Sequence, residues 1–176
     1  MKQPIVPTDR EVFFDDHDII VSKTDIKGRI TYANKTFCNI AGYTEAEVLN
    51  QPHSLVRHPD MPRAVFKLLW DTILAGREIF AYVKNMTKTG DYYWVLAHAT
   101  PSFGKNHEIL GFHSNRRVPD PKTVKEVIAP LYTAIAEEER KHKNGQAALA
   151  AGTDYLVNLL KSRNVSYDEL IFSLCK

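Results

Sequence analysis

Residues 51–70 read Q-P-H-S-L-V-R-H-P-D-M-P-R-A-V-F-K-L-L-W. This places a stiff, irregular segment in front of an amphipathic helix. Pro59 and Pro62 fix their own φ and bias the residue before each of them away from helix. Pro62 suits a first helical turn, where no amide donor is needed. From there Phe66, Leu69, Trp70 and Ile73 recur at helical spacing, and the helix is expected to run to Gly76. Arg57, His58 and Asp60 are thereby held on a rigid segment against an apolar wall. Such a segment can build one side of a small-molecule pocket. It can equally be a stiff loop with solvated charges and a helix cap.

Upstream, residues 19–23 and 29–33 are short β-type runs around turn chemistry at residues 25–28, which predicts a hairpin. Residues 34–41 read as a helix stopped by Gly42. Thr44 and Glu47 form a capping box for a short helix ending near Leu49. Thr8 and Glu11 have the same spacing, so a capped segment carrying Val12, Phe13 and Phe14 is expected there. Pro4 and Pro7 argue against regular structure before it. Residues 1–17 then form an N-terminal cap on the body of the protein.

Downstream, residues 80–87, 92–100 and 109–117 read as three strands in a meander. Alternation puts Ala81, Val83 and Asn85 on one face, with Val95, Ala97 and Ala99 across from them. Two alanines facing the helix leave space that a well-packed interior does not keep empty. The opposite face carries Trp94 and Leu96 and needs cover, from the N-terminal segment or from another subunit. Val124, Val127, Ile128, Leu131, Tyr132 and Ile135 form a helical stripe, with Pro130 expected to kink it. Further helices follow around Leu149–Leu160 and after the capping box of Ser166 and Glu169. The division is therefore residues 1–17, 18–118 and a helical extension at 119–176, in an α+β fold.

The chain has 176 residues, a formal charge of +2, 44% hydrophobic and 25% charged residues. That is ordinary for a globular protein and gives no basic surface for nucleic acid. Cys38 and Cys175 follow no metal-binding or C-x-x-C spacing, so free thiols in a reducing cytoplasm are expected. The first ten residues lack the apolar core of a signal peptide, and no stretch is long enough to cross a membrane. No nucleophile elbow, P-loop or metal cluster is present, so no catalysis is expected.

The order of elements resembles a PAS domain. T-D-I-K-G-R-I-T-Y-A-N-K-T-F followed by A-G-Y-T-E-A-E-V is similar to the opening of many PAS sensors. R-H-P-D-M-P, with V-K-N-M-T-K-T-G-D-Y-Y-W-V and A-P-L-Y-T-A-I, resembles the aerotaxis-receptor branch across residues 18–135. That resemblance implies a five-stranded antiparallel sheet with flanking helices, FAD as cofactor, and redox or oxygen and energy sensing. It implies a free-standing PAS subunit that reports to a separate chemoreceptor or related signalling protein, while the apolar surface at Trp94 and Leu96 beside Phe13 and Phe14 predicts a homodimer through the N-terminal segment and the outer sheet face. Arg57, His58 and Asp60 fall on the flavin-associated motif, and Asn34, Phe66, Trp70 and Asn85 on positions that line or support the pocket. The family often has a tryptophan just after the longer helix. Here Phe80 stands in that region.

The residue chemistry leaves alternatives open. Asn85 can donate to and accept from a ring edge, or be a polar residue near a strand end. Arg57 suits phosphate or a ring carbonyl, or pairs with Asp60 on the surface. His58 suits a hydrogen-bonding role, and Trp70 can be core alone. Haem is the rival cofactor, with His98 and His113 as strand ligands, and His98 predicted to face away. An empty dimerising scaffold is the third reading. A signal at Asn85 is expected to leave along its strand and, past Arg117, into the following helix.

Overall fold

β1 (Ile20–Asp25) and β2 (Ile30–Ala33) form the predicted antiparallel hairpin. Asp25 Oδ1 accepts from the backbone N–H groups of Lys27 and Arg29, and Gly28 takes φ 75° to close the turn. The computed structural model describes residues 5–175, so Pro4 lies outside the described residues. β3 (Ile79–Met86), β4 (Tyr92–Phe103) and β5 (Ile109–Arg117) form the meander. The five strands order as β2-β1-β5-β4-β3, and every neighbouring pair is antiparallel. Register sets Ala81 opposite Ala97, Val83 opposite Val95 and Asn85 opposite Tyr93. The small side chains therefore cluster on one face, as the alternation requires.

Between the hairpin and the meander come α1 (Lys35–Ala41), α2 (Glu45–Val48), a 3-10 turn (His53–Val56) and α3 (Arg63–Leu74). α1 ends on Gly42 in the left-handed region, and α2 carries the Thr44–Glu47 capping box. α3 follows Pro62 directly and ends where Gly76 takes φ 78°.

After β5 come α4 (Pro121–Thr123), a π-helical turn (Val124–Ile128), α5 (Ala129–Arg140), α6 (Gly145–Arg163) and α7 (Tyr167–Leu174). The irregularity expected at Pro130 appears one turn earlier, where Ala129 N–H donates to Val124 O in the wider π register. α5 covers the outer sheet face. Tyr132 donates its hydroxyl to Tyr82 O at 2.7 Å, and its ring lies 6.0 Å from that of Trp94. Trp94 is buried, whereas Phe13 is exposed. The outer face thus gains most of its cover from the chain's own C-terminal helices, which removes the exposed patch that argued for a dimer there.

The capping box expected at Thr8 and Glu11 does not form. Thr8 instead donates to Asp91 Oδ1 at 2.6 Å, and Arg10 pairs with the same carboxylate. Val12 N–H donates to Tyr92 O at 2.7 Å, and Tyr92 N–H to Arg10 O at 3.0 Å. A free backbone edge and a turn carboxylate outcompete a one-turn helix, which is costly to nucleate.

Candidate functional site

A cavity of about 330 Å³ lies between α3 and the inner face of the sheet. That is near the lower end of ligand pockets, which run from about 300 to 1,000 Å³. Leu69, Trp70 and Ile73 form the helix wall, and Val83, Ala97 and Ala99 form the sheet wall. The slot exists because Ala97 and Ala99 leave room that larger side chains would fill. Trp70 stands edge-on to Phe112, with ring centroids 5.4 Å apart. Its other side meets Gly28, where an added Cβ would lie 2.9 Å from Cη2. Gly28 therefore serves both the turn and the position of the indole.

Of the seven residues expected at the site, four reach the cavity: Arg57, Phe66, Trp70 and Asn85. Arg57 lies over the Phe66 ring, 4.2 Å from its centroid, and donates to Met61 O at 3.1 Å. Burial lowers its pKa. Asn85 is buried on β3 and forms an isolated antiparallel bridge with Arg57. The R-H-P-D segment thus covers the free edge of β3. His58 N–H donates to Lys84 O at 3.3 Å, and Lys84 N–H points to Met61 Sδ at 3.2 Å.

The other three stand elsewhere. His58 is buried, accepts from Asp60 N–H at 3.1 Å through Nδ1, and leaves Nε2 without a partner. Burial, then Lys84, lowers its pKa. Asp60 pairs with Lys84 at 2.8 Å instead of with Arg57. Asn34 caps α1: its Oδ1 accepts from Phe37 N–H and Val21 N–H, and its Nδ2 donates to Ile19 O. Those bonds occupy both ends of the amide and hold it away from the cavity. Phe80 also lies away from it, stacked on His98 at 4.1 Å and beside Phe172. Position on β3 explains this, since Phe80 is out of phase with Val83 and Asn85.

Sequence reasoning missed a cluster at the buried end of the cavity. Arg116 is 4% exposed and donates through Nη2 to Ser22 Oγ at 2.9 Å and His53 Nε2 at 2.7 Å. Accepting that bond requires the neutral ring with a lone pair on Nε2. Burial, then Arg116, pushes His53 down to about 3, consistent with that form. Burial lowers Arg116 itself to about 10, so it stays cationic at neutral pH. The available signal was alternation on β5, where Phe112, Ser114 and Arg116 share the inner face. None of the described residues lining the cavity is Asp or Glu, whereas Lys27, Arg57, Lys67 and Arg116 all line it. The geometry suits a flat apolar group carrying negative charge.

Of the two strand histidines considered as haem ligands, only His113 lines the cavity. His98 bonds Glu78 at 2.8 Å on the other side.

Residues 30–116 match the PAS fold family. The chain carries a PAS domain. The aerotaxis receptor of Escherichia coli is 42% identical over 121 residues, covering 68% of this chain and 23% of the receptor. A nitrogen fixation regulatory protein of Klebsiella pneumoniae is 32% identical over 99 residues, covering 56% of this chain and 20% of that protein. The chain thus spans about a fifth to a quarter of the length of these relatives. Among solved structures, a light-oxygen-voltage domain studied with a flavin analogue superposes with TM-score 0.56 at 16% identity, over 64% of this chain and 84% of that one. The dark-state light-oxygen-voltage domain of a blue-light photoreceptor gives TM-score 0.54 at 18% identity, over 64% and 82%. These two establish the fold alone. Among the described residues no helix of the PAS chain is long and apolar enough to cross a membrane.

Proposed function

We propose that this PAS domain binds FAD non-covalently and reports redox state, or oxygen and energy status, to a separate chemoreceptor or related signalling protein in the cytoplasm. The observation that carries the reading is the slot of Trp70, Leu69, Ala97 and Ala99, edged by Arg57 and Asn85 and free of carboxylates. Its apolar walls suit a flat ring, and its cations suit phosphate. The 42% identity to an aerotaxis receptor supports the same reading. A bound flavin supplies reversible electron transfer. The chain's own residues do the rest. Trp70 and Leu69 exclude water, Arg57 faces phosphate or a ring carbonyl, and the Asn85 amide presents either its donor or its acceptor to the ring edge. With a ring bound there, the amide would be able to turn to offer whichever group the edge requires. On this reading the chain self-associates into a homodimer, although α5 covers much of the outer sheet face.

An absorption spectrum of the purified chain tests the assignment. Flavin bands, with acid release of a fluorescent dinucleotide, are expected. Asn85→Ala is expected to lose the pigment while keeping the fold by circular dichroism. A Soret band would install haem instead. A colourless preparation that FAD does not reconstitute would remove the flavin reading.

A further inference from the structure

Arg116 is a buried cation with no counter-ion. Among the described residues no carboxylate lies within ion-pair distance of it. Ser22 and His53 hold Nη2, while Nη1 is buried and has no partner. The face of the Phe37 ring lies 5.8 Å from its guanidinium carbon. A buried charge left in this way is costly unless something pairs with it. The other cavity cations are less deeply buried or are paired. Arg57 is bonded to Met61 O, Lys67 pairs with Asp71, and Lys27 is exposed. We infer that Arg116, aimed by Ser22 and His53, is the seat for the negatively charged edge of an aromatic ligand in this cavity. The class is a planar ring bearing a carboxylate, a phosphate or an ionised carbonyl edge. On the flavin reading, which this inference refines, the group seated there is the carbonyl edge of the ring.

The neutral state of His53 is essential to this seat. A protonated ring would repel Arg116 and lose the lone pair that fixes it. Ser22 can shift its hydroxyl hydrogen, but it brings no charge. The cluster therefore keeps one net positive charge, with unpaired donors at Nη1.

Two simple probes separate charge from shape: 2-naphthoate and 2-naphthamide. They share a ring and differ in charge at one edge. Both are titrated calorimetrically into the full chain freed of any co-purified ligand. The acid should bind about ten- to a hundred-fold more tightly, the range for hydrogen bonds to a charged group. Arg116→Met should bring the two to parity, and Arg116→Lys should keep a reduced preference. Arg116→Gln replaces the Met variant if that one does not fold. A crystal structure of the wild-type complex tests the same point without a variant, and should show the carboxylate on Nη1. Equal affinity for the two probes, binding of neither, a preference that survives in the neutral variant, or a carboxylate seated on Arg57 or Lys67 would each overturn the inference. A chain that shows the acid preference yet takes up no flavin would remove the flavin reading and leave this one standing.

Discussion

The first turn of α3 is capped from a distance, and that contact can be weighed. Pro62 precedes the helix and offers no side-chain cap. The carboxylate of Glu139, on α5, instead accepts from Arg63 N–H at 3.0 Å and Ala64 N–H at 2.8 Å. Glu139 is buried, so water cannot replace it freely. Loss of an ordinary N-cap costs about 0.5–2 kcal/mol. A charged acceptor at the positive end of a helix adds about 0.3–1 kcal/mol. Glu139→Ala should therefore cost about 2–3 kcal/mol, taking the upper range of both because two buried donors lose their partner. Glu139→Gln keeps an acceptor oxygen and should cost about 1 kcal/mol.

Gly152 of α6 makes the test sharper. A Cβ there would lie 2.6 Å from Glu139 Oε1 and 2.7 Å from its Cγ. The carboxylate is pinned by its two bonds and cannot easily yield. Gly152→Ala alone should gain about 1 kcal/mol of helix propensity and lose about 1–3 to overpacking, a net loss near 1 kcal/mol. In the Glu139→Ala background the clash is gone, and the same change should stabilise by about 1 kcal/mol. Urea unfolding of the four proteins reads the cycle, with an expected coupling of about 2 kcal/mol. If Gly152→Ala has the same effect in both backgrounds, or Glu139→Ala costs under about 0.5 kcal/mol, the cap does not hold α3 as described.

Gly28→Ala should cost about 1 kcal/mol or more in stability from its positive φ, and should weaken cavity binding further because the methyl drives Trp70 inward; titration of the 2-naphthoate probe reads the second effect. Asp91 is held down to about 2, from 3.8, by its hydrogen bonds with Arg10 and Thr8. Its folded pKa is depressed, so the stability it confers is complete above the unfolded value and is lost as pH falls through the folded one. The gap between wild type and Asp91→Asn should thus be widest above pH 4 and close towards pH 2 in acid titrations of the unfolding midpoint. His53 is depressed from 6.5 to about 3. The unfolded chain takes up a proton first, so wild type should already weaken below about pH 6.5, a slope that His53→Asn should lack between pH 6.5 and 4.

Much of this architecture is legible in the sequence because its signals are local. Thr44 with Glu47, and Ser166 with Glu169, state their caps within four residues, and Gly42 and Gly76 state the helix stops. Strand alternation places Ala97, Ala99 and Asn85 on the inner face, since period two leaves no choice of side. Apart from the irregularity near Pro130, what the sequence does not state is long-range. Thr8 finds Asp91, a partner 83 residues away, in place of Glu11. Asn34 satisfies backbone groups of Ile19 and Val21 that only the folded hairpin brings to it. Asp60 meets Lys84 once the segment before α3 adds to the edge of β3, which leaves Arg57 free to lie on Phe66. Arg116 escapes a local reading because a charged residue near a strand end looks solvated, and nothing nearby in the chain reports that Ser22 and His53 wait there.

The same distinction bears on how the cavity wall is joined to the C-terminal helices. The strand route from Asn85 past Arg117 runs through β4 and β5. β5 lies between β1 and β4, so its backbone is hydrogen-bonded on both sides. Such a strand is a stiff element. α3 is attached to the sheet by side-chain packing alone along the cavity, through Leu69, Trp70 and Ile73, and its first turn hangs on Glu139. Gly145, at the start of α6, also sits close to Arg63, with a built Cβ at 3.1 Å from its Nη1. A shift of α3 to admit or release a ring therefore strains two hydrogen bonds to α5 before it disturbs the sheet. The energy held in those bonds, about 2–3 kcal/mol, matches the roughly 1–3 kcal/mol typical of coupling between sites. The π-helical turn at the entry to α5 gives that helix room to follow, because its wider register exchanges one hydrogen-bond partner for another at small cost. α3 and Glu139 thus give a more direct mechanical link between the cavity wall and the C-terminal helices than the strand route does.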